Sequence, residues 1–173
     1  ILETDTPFHR DVMFILDRIK EGKNSELVKK IRTEKNKSAR NELKKKLPSI
    51  CFSGVFNKRM DSALVEHSGL ICLDFDGYEK KKELADDRLK FEKNKFVFSV
   101  FVSPSGKGLK VLVKIPQDPE NHKKYFNALK KHFGSSYFDS TSKNISRVCY
   151  ESFDKQLYVN EKSELWERLE EEE

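Results

Sequence analysis

The sequence predicts a mixed α+β domain: an α/β-type sheet with helical cover, preceded by a basic helical segment. Three observations predict it. Stretches with helical spacing and stretches with strand spacing intermix along the chain, which argues for helices packed on a sheet. Residues 96–102 are apolar on nearly both faces, with Phe96, Phe98, Val100 and Val102 alternating with Val97 and Phe101. Such strands sit in the middle of a covered sheet. Finally, Leu70, Ile71, Cys72 and Leu73 run uninterrupted between Ser68-Gly69 and Gly77, the pattern of a fully buried strand.

Taken in order, Val12, Ile15, Leu16 and Ile19 repeat at helical spacing and Gly22 follows as a stop. Ser25 is placed to cap a second helix carrying Leu27, Val28 and Ile31. A third, mostly polar helix is expected over residues 36–47, ending before Pro48. Residues 49–56 read as one strand. The 70–76 strand is followed by a charged helix over 79–91, and the 96–102 strand by the turn 103–108 and a strand over 109–115. Pro119 suits the first turn of a helix whose Tyr125, Phe126, Leu129 and Phe133 form one stripe, with Gly134 at its end. Residues 135–139, 146–150 and 156–159 are short strand candidates. Ser163 is expected to cap a last helix holding Leu165, Trp166 and Leu169. No internal repeat or linker interrupts this, so residues 1–173 read as one domain: a basic helical segment over 1–47 and a core over 48–173.

With 173 residues, the chain is long enough for a real core. A net charge of +5 and a basic stretch from Lys20 to Lys46 suggest an anionic partner. The run from Glu161 to Glu173 is acidic, and the start at Ile1 suggests a piece of a longer protein. Cys51, Cys72 and Cys149 lie in apolar stretches without metal-ligand spacing, which suits free thiols in a reducing, cytoplasmic setting. No stretch approaches the ~20 apolar residues of a membrane span.

The chemistry starts at Asp74 and Asp76. Side chains two apart on a strand share a face, so the two carboxylates point the same way, with Cα atoms roughly 6.5–7 Å apart. They repel unless something positive lies between them, and a hard cation such as Mg²⁺ or Mn²⁺ fits oxygen ligands. The same pattern also fits a strand that has reached solvent. The turn Ser103-Pro104-Ser105-Gly106-Lys107-Gly108 allows close backbone approach, and amides in such turns hold phosphate oxygens. It lacks the full P-loop pattern and, taken alone, reads first as a plain hairpin turn. Lys110 shares a strand face with Leu112 and Lys114, as a site residue or as a charge on an edge strand. Asp139 follows the apolar pair Tyr137-Phe138. Arg147, beside Val148-Cys149-Tyr150, needs an anion: Glu151, Asp154 or a nucleotide phosphate.

The order of these features resembles the archaeo-eukaryotic primase superfamily, which includes prim-pol enzymes: an apolar strand ending Asp-x-Asp, a Ser-Gly-x-Gly turn into a strand, then an apolar-Asp and a later Arg. More closely, "FSGVF", "HSGLICLDFDGY", "SPSGKGLKVLV" and "SRVCYESFDKQLYVN" resemble the VirE N-terminal family of primase-like domains, over roughly residues 50–160. The resemblance implies a primase-like sheet and a metal-dependent nucleotidyltransferase of a mobile-element or phage replication protein. It implies Asp74, Asp76 and Asp139 as ligands of two divalent ions, Mg²⁺ or Mn²⁺. Ser105, Lys107, Gly108, Lys110 and Arg147 would then face the triphosphate of a nucleotide. Implied partners are nucleoside triphosphates, single-stranded or primed nucleic acid, and a helicase-type ATPase in the same or a partner chain. The superfamily normally carries histidine at the position of Lys110. Lysine still pairs with phosphate but offers no neutral acceptor nitrogen, so a primase-like nucleic-acid-binding module without efficient catalysis is the second expectation. "LDFDGY" also resembles the first motif of haloacid-dehalogenase-type phosphatases, with Asp74 as nucleophile, though that motif usually continues with Thr where Tyr78 stands.

Overall fold

The structure, a computed structural model, describes residues 8–171. The first seven residues of the predicted basic segment and the last two of the acidic run lie outside the described residues. Three helices open the chain: α1 (Val12–Glu21), α2 (Ser25–Thr33) and α3 (Lys37–Lys44). Asp11 caps α1 by accepting from the Met13 amide, and Asn36 caps α3 by accepting from Ala39. Ser25 opens α2 as its first residue; the cap position belongs to Asn24, which makes no side-chain capping bond.

The expected strand over 49–56 is two short ones, β1 (Ser49–Ile50) and β2 (Gly54–Phe56), and they go to different partners. β2 pairs with β3 (Leu64–His67), and Gly54 is pressed against the Glu66 carbonyl, where a side chain would collide. The break at 51–53 lets the chain change partners.

The centre is a four-stranded antiparallel sheet in the order β4-β6-β5-β8. Its strands are β4 (Leu70–Asp76), β5 (Val97–Val102), β6 (Gly108–Lys114) and β8 (Tyr158–Val159). α4 (Lys81–Glu92) joins β4 to β5, and α5 (His122–Phe133) follows β6 after a 3₁₀ turn that begins at Pro119. β7 (Cys149–Tyr150) pairs with β1. Mixed α+β architecture with helical cover is thus what the chain adopts, and β5 lies inside the sheet as its two-faced pattern requires. β6 is interior too, so Lys110 is not an edge-strand charge.

The two sheet faces differ. Ile71, Leu73 and Phe75 of β4, with Leu109, Val111 and Val113 of β6, pack against Phe91 of α4 and Phe126 and Leu129 of α5. The opposite face packs Leu70, Phe101 and Leu112 against Leu16 and Ile19 of α1. α1 is therefore part of the core, while Val28 and Ile31 of α2 sit with Leu47 in a separate small cluster.

Two predicted elements are absent. Residues 135–139 form no strand; they touch the free edge of β4 through a single bridge, Phe75 to Phe138. The expected helix after Ser163 is an extended strap. Its amides bond outward, Glu164 to the Lys95 carbonyl and Trp166 to that of Lys114, while the Trp166 ring is buried in the aromatic core. Tertiary bonds and one large buried ring outweigh the local helical spacing, and the Ser163 hydroxyl is left buried without a hydrogen-bond partner among the described residues. Among the described residues, no helix is long and apolar enough to cross a membrane.

Candidate functional site

The even-numbered side chains of β4 run Leu70, Cys72, Asp74, Asp76, so the face under α1 turns from apolar to charged along one strand. Register places Asp74 opposite Lys110 and Asp76 opposite Gly108. Gly108 is needed there: a Cβ would run into the Asp76 carboxylate and the Phe75 carbonyl.

Asp139 arrives by the β4 edge. The Asp139 amide donates to the Asp74 carbonyl at 2.8 Å and the Asp76 amide to the Tyr137 carbonyl at 2.8 Å, flanking the Phe75–Phe138 bridge. Phe138 sits in the aromatic core with Phe75, so strand alternation turns Asp139 to the face that Asp74 occupies. All three carboxylates thus share one side of the sheet.

Cations lie among them. The Lys110 ammonium donates to Asp74 Oδ1, with the side chains only 13% and 8% exposed. Arg147 Nη2 stands 3.5 Å from Asp139 Oδ2 and 3.9 Å from Asp74 Oδ2. Arg147 therefore faces neither Glu151 nor Asp154. Glu151 is taken by Arg18, at 2.9 and 3.1 Å, and Asp154 by Arg88 at 2.9 Å. Asp139 Oδ1 also accepts from the Thr141 hydroxyl at 2.6 Å and amide at 2.9 Å. Lys44 of α3 is half-buried close to Asp76 and Asp74, with Arg40 beside it.

These contacts set the ionisation. Burial works against the Lys110 ammonium, but Asp74 outweighs it and the pKa is raised. Burial raises the Asp76 carboxyl above its ordinary range although its edge is exposed; Lys110 pulls it back and Asp74 pushes it further up. Asp139 is lowered: burial opposes its charge, but the Thr141 bonds, Arg147 and Lys110 prevail. Lys44 is lowered by burial, with Asp76 opposing.

The 103–108 turn is a tight hairpin. The Ser103 and Gly106 amides bond within it, to Gly108 and Ser103 carbonyls at 2.8 and 2.9 Å, and the Lys107 amide bonds to the Ser105 hydroxyl at 3.3 Å. Arg32 of α2 binds the Ser103 carbonyl at 3.3 Å and the Phe153 carbonyl at 2.8 Å. Those three amides are engaged, and what the turn contributes to the site is the position of Gly108 and Lys110.

The donor set is all oxygen, which suits a hard cation. Among the described residues, no three His, Cys, Asp or Glu side chains come together around one ion position. As a nucleophile Asp74 would need a free oxygen, and Lys110 and Arg147 flank both of its oxygens. Arg18, Arg32 and Lys44 gave no sequence signal of their roles, because their partners lie far away in the chain. The thiols are free, with Cys149 buried and Cys51 and Cys72 half-buried; burial pushes Cys51 up to about 11.

A second concavity of about 830 Å³ lies on the other side of the 146–148 segment. Its lining includes Phe14, Phe56, Arg10, Lys58, Arg59 and Ser146. Arg10 lies over the exposed rings of Phe8 and Phe14, at 5.5 and 6.0 Å.

Fold and site together define a mixed α+β domain built around a charge-matched cluster on one sheet face. Residues 42–159, more than half of the chain, match the family BT4734-like, N-terminal domain, and the chain belongs to that family. No curated protein and no solved structure matches it.

Proposed function

We propose that this is a primase-like domain that binds nucleoside triphosphates and single-stranded or primed nucleic acid and transfers nucleotidyl groups in a replication protein, alongside a helicase-type ATPase. One observation carries the reading: Asp74, Asp76 and Asp139 meet Lys110 and Arg147 on a single sheet face, in the motif order of the primase superfamily.

Asp76 and Asp139 would hold one Mg²⁺ or Mn²⁺, since Mg²⁺ commonly takes one or two carboxylates and completes its shell with water and phosphate oxygens. Such an ion, when bound, neutralises charge on the oxygens of an in-line phosphoryl displacement. Two ions shared by three acids do not fit, because Asp74 is held by Lys110. Arg147, 41% exposed, is free to turn from Asp139 to a triphosphate. Lys107 and Lys44 add positive charge near it, and Ser105 and Gly108 shape the turn. The cleft of Phe14, Phe56, Lys58 and Arg59 would hold a single strand by stacking and phosphate contacts.

A second reading, binding without chemistry, is favoured by the Lys110–Asp74 pair, which removes an acid from catalysis. Template-directed extension with labelled nucleotide, run with Mg²⁺ and then Mn²⁺, separates the two. Extension that disappears in Asp139→Asn supports transfer; oligonucleotide binding without product supports the second reading.

A further inference from the structure

We infer that Lys110 is a resident cation that takes the place of one divalent ion, so that Asp74 is a lysine counter-ion and not a metal ligand. The inference rests on the reading of this face as a nucleotidyl-transfer site and specifies what occupies it.

The geometry is that of a committed pair. Lys110 projects from β6, an interior strand between β4 and β5, directly opposite Asp74 in the β4–β6 register. Both side chains are nearly closed off from solvent, and the ammonium rests on Oδ1. Arg147 flanks Oδ2. An ion approaching Asp74 must therefore displace a buried ammonium that, among the described residues, has no other carboxylate bonded to it. The charges point the same way. Three carboxylates (Asp74, Asp76, Asp139) stand among at least as many cations (Lys110, Arg147 and Lys44, with Arg40 beside Lys44), so the cluster carries no excess negative charge. Two divalent ions would add four positive charges to a partly dry site, where like charges repel strongly. Asp76 and Asp139 are more open: Asp76 is exposed, and Asp139 faces an arginine free to move away. One ion at those two acids leaves the Lys110–Asp74 pair intact.

The test is to count Mn²⁺ bound per chain by the loss of the free-ion paramagnetic resonance signal, using the metal alone and the intact domain. The wild-type chain should take up at most one ion. Lys110→Gln, confirmed as folded by circular dichroism, should take up one more, because Asp74 is released. The double variant Asp74→Asn/Lys110→Gln removes both charges at little change in shape and guards against misfolding of the single variant; it should bind as many ions as the wild type. Two or more ions on the wild type, no gain in folded Lys110→Gln, or a lower count in the double variant would each overturn the inference. An Asp139→Asn chain that loses both nucleotidyl transfer and the single ion of the wild type, with the Lys110→Gln and double-variant counts as expected, supports both levels. No ion on the wild type but one on Lys110→Gln keeps the resident-lysine inference and removes the one-ion reading of the site.

Discussion

The two faces of the central sheet are built from the same strands and behave oppositely. Under α4 and α5, Phe75 meets Phe91, Phe133 and Phe138 with ring centroids 4.4, 5.5 and 5.3 Å apart, and Ile71 and Leu73 continue the same apolar surface. On the reverse, β4 starts apolar at Leu70 and ends in Asp74 and Asp76, matched by Lys110. The comparison teaches a division of labour set by strand periodicity. The odd-numbered side chains anchor β4 in the core, and the even-numbered ones hold charges at fixed spacing because that anchor is stiff.

The largest effects should come from breaking each face in turn. Phe75→Ala removes a fully buried ring and is expected to cost about 3–5 kcal/mol in denaturant unfolding. Lys110→Ala should cost about as much, since it leaves the buried Asp74 charge with only the more distant, part-exposed Arg147. The faces part company in the double variant. Replacing both members of the pair, as Asp74→Asn/Lys110→Gln, should restore stability to within about 1 kcal/mol of the wild type, because a buried ion pair contributes little net stability. A double variant as unstable as Lys110→Ala alone would mean that the charged face, too, holds the fold together.

The same division explains what was legible in the sequence. Leu70 to Leu73 and the stripe of Tyr125, Phe126, Leu129 and Phe133 announce β4 and α5 because each pattern follows the element's own period. The shared face of Asp74 and Asp76 follows from periodicity alone. The cations were harder to place. Arg147 looked toward Glu151 or Asp154, its neighbours in sequence, but those acids hold Arg18 and Arg88, whose partners are far off in the chain. The helix expected after Ser163 failed for a similar reason: its amides are claimed by Lys95 and Lys114 carbonyls that no local pattern reveals.

A pH effect is expected outside the two faces, where the end of β3 meets the start of α5. His67 at the end of β3 meets His122 at the start of α5, Nε2 to Nδ1 at 3.3 Å, and the Gly69 amide donates to His67 Nδ1 at 3.1 Å. Burial holds His122 down to about 4, with His67 adding to the shift, and burial also lowers His67. Asp61 and Asp118 oppose these shifts, and Lys123 reinforces that on His122. The unfolded chain therefore binds more protons below an ordinary histidine value of 6.5. Stability should be complete above that pH and fall as pH drops from 6.5 to about 4, by on the order of 2–3 kcal/mol for His122. His122→Gln should flatten that slope in melts run across the window; an unchanged slope would place the acid sensitivity elsewhere.

The smallest expected effect concerns which basic surface meets nucleic acid, the helices or the cleft. The basic stretch of α2 and α3 is the obvious candidate in the sequence, but much of its charge is engaged. Lys29 pairs with Glu26 at 2.8 Å, Lys45 with Glu42 at 2.6 Å, Arg32 binds two backbone carbonyls, and Lys44 is half-buried at the acids. Lys58 and Arg59 stand exposed at the cleft with Phe14. Removing residues 1–47 would not decide the matter, because Leu16 and Ile19 belong to the core and their loss would unfold the domain. Point substitutions do. Each phosphate contact contributes about −0.7 to the slope of log affinity against log salt for a single strand. Lys58→Gln/Arg59→Gln should therefore make the slope for a labelled thymidine oligonucleotide shallower by about 1.4, while Lys30→Gln/Lys37→Gln leaves it as it was. Phe14→Ala should weaken binding at every salt concentration and leave the slope alone, because stacking releases no counterions. Should the helix pair change the slope and the cleft pair not, the strand runs over α2 and α3, and the aromatic cleft serves another ligand.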